Sequence, residues 1–245
     1  MRFQGKVAMV TGASVGIGRA VALCFAKEGA DLVLIDVNAS ALFAVCEEAK
    51  KMGVKALAFA CDVTNEEKVK EVVAKGEEEL GKIDILVNNA ALWRDRARFE
   101  ESSSDLWKRY FDVNVMGLYY CTKAAIAGML ERNYGRIINV SSVAGVYGNA
   151  KMVHYSATKG AVISMTKALA KEVTARGVLV NCVSPGSVSA SAEEDMDFTS
   201  PSELSFMGRT GSDRENADLI LFLASDQASY IAGQSIQIDG CRKKM

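Results

Sequence analysis

The chain has 245 residues, enough for one large α/β domain with a well-buried core. Lys and Arg number 29 against 30 Asp and Glu, a balance that offers neither nucleic acid nor an anionic membrane surface a basic face. No apolar run approaches the roughly 18 residues of a membrane span, and six cysteines without CxxC spacing, beside one histidine, argue against a structural metal site.

Those cysteines read as reduced, mostly buried thiols of a cytoplasmic protein. The opening "MRFQGKVAMVTG" moves straight into a strand-like run and a glycine turn, unlike a signal peptide. Strand-length apolar runs then alternate with amphipathic segments. The strand candidates are "KVAMVT" (6–11), "DLVLID" (31–36), "KALAFA" (55–60), "DILVN" (84–88), "GRIINVS" (135–141), "VLVNCVS" (178–184) and "SIQID" (235–239). Their near-continuous apolar character fits strands buried on both faces of a parallel sheet.

Helices are expected near 17–29, 39–52, 65–80, 103–132, 153–175 and 213–225. Asn65 with Glu66 and Glu67 opens the third, and Gly29 and Gly53 close the first two. Strand–helix alternation throughout predicts a single domain over 1–245: a Rossmann-type, doubly wound parallel sheet of about seven strands with helices on both faces. The irregular stretch "GSVSASAEEDMDFTSPSE" (186–203) follows a strand end and is too long for a tight connection. It reads as a substrate lid over about 187–206.

"TGASVGIG" (11–18) joins the first strand to the first helix. Gly12, Gly16 and Gly18 supply a tight turn, close phosphate approach and close helix packing, with the helix N-terminus facing a pyrophosphate. Ser14, Val15 and Ile17 complete the turn. Asp36 ends the second strand, where a carboxylate would receive the ribose hydroxyls of a dinucleotide. A 2′-phosphate would meet a negative charge there, and Val37 and Asn38 bring no cation to offset it. NAD is therefore expected rather than NADP.

"YSATKGA" (155–161) places Tyr155 and Lys159 four residues apart, on one helix face. A lysine cation beside a phenol favours the phenolate, so Tyr155 is expected below the usual tyrosine value and able to exchange protons near neutral pH.

With these motifs in hand the chain resembles the short-chain dehydrogenase/reductases, the single-domain branch, over essentially its whole length. The resemblance is carried by "TGASVGIG", "CDV" (61–63), "NNAA" (88–91), "VNVMG" (113–117), "NVSSVAG" (139–145), "YSATK" (155–159), "SPGSV" (184–188) and "ASYIAGQSIQIDG" (228–240), in that order. It implies that Tyr155 is the acid/base at the carbonyl or alcohol oxygen, that Ser142 hydrogen-bonds the same oxygen, and that Lys159 lowers the Tyr155 pKa and holds the nicotinamide ribose. Asn114 would anchor a water leading protons to Lys159. Ser141 is the rival of Ser142; alternation along a strand points the two to opposite faces.

The same resemblance sets Asp62 and Val63 beside the adenine, Asn89, Ala90 and Ala91 beside the adjoining ribose, and Pro185, Gly186 and Val188 at the carboxamide. Two positions depart from the family pattern. "NNAG" is here "NNAA", adding a methyl at Ala91, and the common lid threonine is Ala190, flanked by Ser189 and Ser191.

Other residues read less sharply. His154 sits beside Tyr155, but adjacent helical residues do not share a face, so it is wall or surface. Trp93 is pocket wall or ordinary packing. "RDRARF" (94–99) reads as a solvated loop with the option of gripping an anion, and "EEDMD" (193–197) would repel one.

The leading expectation is an NAD-dependent alcohol dehydrogenase/ketone reductase acting on a small-molecule secondary alcohol or ketone, assembled as a homo-tetramer. The alternative is a 3-oxoacyl-[acyl-carrier-protein] reductase with Arg132 and Arg176 at a carrier-docking face. A non-catalytic NAD-binding scaffold is the reading from another class; the intact Asn114, Ser142, Tyr155 and Lys159 set argues against it.

Overall fold

Each apolar run forms a strand that feeds two cores at once, because alternate residues leave a strand on opposite faces. The computed structural model describes residues 1–189 and 195–243. The strands are β1 (Val7–Thr11), β2 (Asp31–Asp36), β3 (Ala56–Ala60), β4 (Ile85–Asn88), β5 (Gly135–Val140), β6 (Val178–Pro185) and β7 (Ser235–Ile238). The helices are α1 (Gly16–Lys27), α2 (Ala39–Lys50), α3 (Glu66–Leu80), α4 (Ser104–Phe111), α5 (Leu118–Glu131), α6 (Ala144–Tyr147), α7 (Val153–Val173) and α8 (Asp213–Ala224).

Ala8, Val10, Leu32, Leu34, Ile85, Val87 and Ile138 turn to the core shared with α1, α2 and α8. Val7, Met9, Val33, Ile35, Leu86, Ile137 and Val180 turn to the core shared with α3, α5 and α7. Both alternating sets are apolar, which is why the runs look continuous rather than alternating. At about 1.5–3 kcal/mol for each fully buried large aliphatic side chain, this double face is the main favourable term holding the layers together.

All seven strands are parallel, in the order β3-β2-β1-β4-β5-β6-β7. The chain winds outward from β1 through β2 to β3, then starts again at β4 on the other side of β1. That reversal opens a crevice at the carboxyl ends of β1 and β4, the place where doubly wound sheets bind ligands.

Expectation and structure differ in three places. The outer strands β3 and β7 are partly exposed, so burial on both faces belongs to the five inner strands. The helix expected over 103–132 divides into α4 and α5 around a π turn at Asp112–Gly117. There the backbone comes close to the chain after β3: a Cβ on Gly117 would stand 2.6 Å from Val63 Cγ2. The apolar pattern runs through this turn unbroken, so periodicity gives no sign of it. Finally, the short α6 after β5 was not foreseen.

Helix α6 matters because it carries the Ser142 loop onto α7. A Cβ on Gly145 would lie 2.5 Å from the Lys159 carbonyl carbon and 2.8 Å from the Gly160 nitrogen, both backbone atoms that cannot step aside. The expected result for Gly145→Ala is a loss of about 1–3 kcal/mol in chemical denaturation, as for other overpacked sites. Gly160→Ala is the control, since its Cβ would meet only the Gly145 carbonyl oxygen at 3.5 Å. Equal stability of the two variants would contradict this packing.

Candidate active site

Because every strand points the same way, the motif residues at strand ends gather on one edge. Thr11 closes β1 and is buried there. Its Oγ1 accepts hydrogen bonds from the Asn89 and Ala90 amides at 3.0 and 3.1 Å, and Asn89 Nδ2 donates to the Thr11 and Gly12 carbonyls at 3.1 and 3.0 Å. These bonds hold the Asn89–Ala91 segment against the glycine turn across the crevice. Thr11 was not singled out from sequence; its place before Gly12 at a strand end is the signal that was available.

The three glycines of the turn do different work. A Cβ on Gly12 (φ +65°) would stand 2.9 Å from Ala90 Cα, and one on Gly18 would overlap the Gly12 carbonyl oxygen, so both serve close packing. Gly16 (φ +58°) is open by contrast: among the described residues, only the Asp213 carboxylate oxygens stand within 4 Å of its Cβ position. Val15, 62% exposed, is the N-cap of α1 and supplies no side-chain bond to the first-turn amides. Uncapped amides beside an open glycine, with Ile17 and Gly18 following, fit a dinucleotide diphosphate. When bound there, a nicotinamide dinucleotide supplies a hydride donor or acceptor.

The end of β2 completes this half. Asp36 Oδ2 accepts from the Ser14 amide at 3.1 Å and Oδ1 from the Asn38 amide at 2.9 Å. Its carboxylate is thereby fixed beside the turn, with exposed Val37 as its neighbour. After β3, Asp62 is exposed and bonded to the Thr64 amide at 2.9 Å, whereas Val63 is buried against Gly117.

On the other half, Ser142 follows β5. Its Oγ accepts from the Ala144 amide at 3.1 Å, and its hydroxyl is near enough to Tyr155 to act on the phenol's pKa. Ser141 is buried and donates to the Lys159 carbonyl at 2.7 Å, so it braces α7 and Ser142 alone faces the phenol. Asn114, carried inward by the π turn, accepts from the Leu92 amide at 2.7 Å. It donates to the Leu92 carbonyl at 3.0 Å and to Thr158 Oγ1 at 3.1 Å. It thus ties the segment after β4 to the helix turn holding Lys159.

The structure corrects the expected source of Tyr155 acidity. Burial raises the Tyr155 pKa, and the opposing influence is the Ser142 hydrogen bond. The Lys159 ammonium donates to the Val140 carbonyl at 2.8 Å, and Nζ lies over the Tyr155 ring at 5.8 Å from its centre. Burial pushes Lys159 itself down to about 8, with Cys182 beneath it acting weakly the other way. The protein alone therefore keeps Tyr155 protonated.

The carboxamide side is built by β6. Pro185 accepts from the Val143 amide at 2.9 Å, and Gly186 donates to the Ile238 carbonyl at 2.9 Å. Gly186 is required there, since its Cβ would stand 2.8 Å from Asp239 Cα. Val188 pairs with Gly211. Ser189 is buried with its hydroxyl held by Ser200 at 2.8 Å and Thr210 at 2.6 Å, which takes it out of contention for the missing lid threonine. Ala190, Ser191 and the start of "EEDMD" lie outside the described residues.

His154 is buried wall, its ring 4.4 Å edge-on from Tyr110, which in turn stands edge-on to Tyr155 at 6.4 Å. Tyr110 Oη donates to Asp95 at 3.0 Å and is a further residue sequence reasoning missed. Trp93 is half exposed and carries the Arg94 guanidinium over its face at 5.2 Å. Arg132 donates to the Ile83 carbonyl at 2.7 Å beside Glu77, which ties it to its own chain.

A lysine held at about 8 rather than 10.5 destabilises the fold where it must carry its proton. The unfolded chain binds that proton between pH 8 and 10.5 and the folded chain does not, so the penalty is full below pH 8 and fades as pH rises to 10.5. The gap corresponds to on the order of 3 kcal/mol. Lys159→Met is expected to melt above wild type at pH 7, with the gain shrinking between pH 8 and 10.5; a gain independent of pH would contradict it.

Comparison with known proteins agrees with this geometry. Residues 12–241 match the family described as Enoyl-(Acyl carrier protein) reductase. The chain is 40% identical over 244 residues to the 3-oxoacyl-[acyl-carrier-protein] reductase FabG of Thermotoga maritima, covering 98% of each. It is 39% identical over 248 residues to the protein of the same name from Aquifex aeolicus, again over 98% of each. Among solved structures, an NAD+-bound xylitol dehydrogenase superposes with a TM-score of 0.91 at 33% identity, over 98% of this chain and 100% of the other. The chain belongs to the short-chain dehydrogenase/reductase family and is an oxidoreductase of that family.

Proposed function

We propose that the chain interconverts a ketone and a secondary alcohol with NAD(H), and that the ketone it reduces is the 3-oxo group of an acyl thioester on a carrier. The observation that carries the chemistry is Ser142, Tyr155 and Lys159 converging across the crevice from the open glycine turn. In the reductive direction the carbonyl oxygen gains charge as hydride reaches its carbon. Tyr155 gives its proton to that oxygen, and Ser142 steadies it by hydrogen bonding. A phenol kept protonated by burial is suited to this donor role. Lys159 is placed to hold the nicotinamide ribose and, through Asn114 and Thr158, to stay in register with the rest.

The substrate reading draws its support from the relatives named 3-oxoacyl-[acyl-carrier-protein] reductases, matched along nearly their full length. The Ala97 amide bonded to the Lys151 carbonyl at 2.9 Å holds the 94–98 loop, with Arg94 and Arg96, against the segment that carries Lys151 just before α7. These cations suit the phosphate of a carrier's arm. A second reading, an NAD-linked dehydrogenase of small alcohols, is favoured by Asp36 and by the likeness to xylitol dehydrogenase. Partly exposed Ala124, Ala161 and Met165 and exposed Tyr119 on α5 and α7 support assembly as a homo-tetramer.

Tyr155→Phe keeps the ring and removes the proton. With a 3-oxoacyl thioester and NADH, turnover is expected to fall by roughly 10²–10⁴ while dinucleotide binding survives; retention of more than about a tenth of wild-type turnover would remove Tyr155 from the acid/base role. Cofactor choice is tested separately. Like charges about 4 Å apart cost between about 1 and 4 kcal/mol as the effective dielectric falls from 80 to 20. The ratio of kcat/KM for NADH over NADPH is therefore expected between tenfold and a thousandfold, and Asp36→Ala should erode it. Equal wild-type efficiency with both cofactors would contradict the assignment of Asp36.

A further inference from the structure

The N-terminus of α8 brings a carboxylate to the open glycine of the turn. Ser212 and Glu215 cap this helix reciprocally: Ser212 Oγ accepts from the Glu215 amide at 3.1 Å and Glu215 Oε2 accepts from the Ser212 amide at 2.9 Å. Asp213, between them, is left out of the capping and packs against α1 instead. Its Oδ1 and Oδ2 stand 3.8 and 4.0 Å from the Cβ position of Gly16. The residue is 7% exposed, and its carboxylate has no hydrogen-bond partner among the described residues. A little-exposed carboxylate with no protein hydrogen bond among the described residues thus lies beside the open glycine where the diphosphate is expected.

The surrounding charges do little to settle it. From α1, Arg19 is the cation whose field reaches Asp213, and its guanidinium is bonded to Glu48 of α2 at 2.7 Å. On α8 itself, Arg214 is bonded to Asp218 at 3.0 Å, and Glu215 is bonded to Arg209 at 2.7 Å. The glycine turn contributes no titratable side chain, and Asp36 beyond it is held by the Ser14 and Asn38 amides. Burial is the larger influence, and it holds the Asp213 carboxyl up at about 6.

We propose that Asp213 is a proton-linked binding residue for the cofactor: the dinucleotide diphosphate docks on the amides of α1 with Asp213 protonated, and ionised Asp213 opposes docking. This rests on reading the glycine turn as the dinucleotide site. A protonated carboxyl offers one O–H donor to a phosphate oxygen, whereas the carboxylate offers only repulsion. The bound anion then raises the Asp213 pKa further, so binding above pH 6 takes up a proton. Affinity falls as pH rises through 6, by up to about tenfold per pH unit until the pKa of the complex is passed.

The test is NADH titration of the full chain from pH 5.5 to 8, wild type beside Asp213→Asn, with calorimetry at pH 7 in two buffers of different ionisation enthalpy. NADPH is avoided because its 2′-phosphate titrates near pH 6 as well. The expected wild-type Kd rises roughly three- to tenfold across the range, with about 0.2–0.4 proton taken up at pH 7. The Asn variant is expected to bind tightly at both ends with uptake lost. The wild-type proton count reads the proposal without depending on the variant. Parallel pH profiles, or no uptake by wild type, would overturn the inference alone; failure of NADH to bind at any pH would overturn the dinucleotide site and the inference together.

Discussion

The junction of β1 and β4 is the constraint on which the rest of this structure depends. The chain leaves these neighbouring strands in opposite directions, so their carboxyl ends would splay unless something bridged them. Thr11 and Asn89 do so with four hydrogen bonds of 3.0–3.1 Å in a largely buried setting. The bridge fixes the floor of the crevice and seats Gly12 against Ala90, and the turn that follows presents α1 at a set angle. Asp36 is then held to that turn by backbone amides rather than by a partner charge, which leaves its own charge unneutralised toward an incoming ribose. Every recognition element on the cofactor half follows from geometry set at one strand pair.

The catalytic half is held by a different device. Polar side chains in the layer between sheet and helices are linked in series: Thr122 to Asn88, Asn88 to Asn139, and Asn139 to Thr166, at 2.9–3.0 Å. Unsatisfied polar groups there would cost about 1–3 kcal/mol each; Asn88 Oδ1 is left without a partner among the described residues, while the bonds that are made fix the register of α5 and α7 on the sheet more sharply than apolar packing can. Ser141 on the Lys159 carbonyl and Asn114 on Thr158 extend the network to the reacting groups. Lys159 sits at its centre as a buried ammonium whose one hydrogen bond among the described residues is to the Val140 carbonyl. A lysine with that environment is poised to exchange its carbonyl for a ligand hydroxyl, and burial makes such a bond stronger than it would be in water.

Much of this was legible in the sequence because it rests on local pattern. The strands were placed within a residue or two, since apolar runs bounded by glycine and charge admit little else. Gly12 and Gly18 stand where a Cβ would strike backbone, and Gly12 and Gly16 hold a positive φ, which is what a glycine turn at this place calls for. What escaped depends on three-dimensional proximity. The π turn interrupts no periodicity. Thr11, Tyr110 and Asp213 act on residues far away in the chain. The direction of the Tyr155 pKa differs from expectation because spacing shows that Lys159 is near, but not that its ammonium is bonded to Val140 and that burial of the phenol raises its pKa. Ser189, a reasonable stand-in for a lid threonine by position, is consumed by Ser200 and Thr210.

Hydride transfer to a 3-oxo carbon is the central claim, and it is tested most directly by following the hydride itself. The protein is incubated with a 3-oxoacyl thioester and NADH deuterated at C4, and the acyl product is analysed by mass spectrometry. The expected product is the 3-hydroxyacyl thioester with one deuterium on C3, formed by wild type at a rate that tracks NADH oxidation. A thioester recovered unreduced while small ketones gain deuterium, or label appearing through reduction of a carbon–carbon double bond instead, would contradict the assignment of this site.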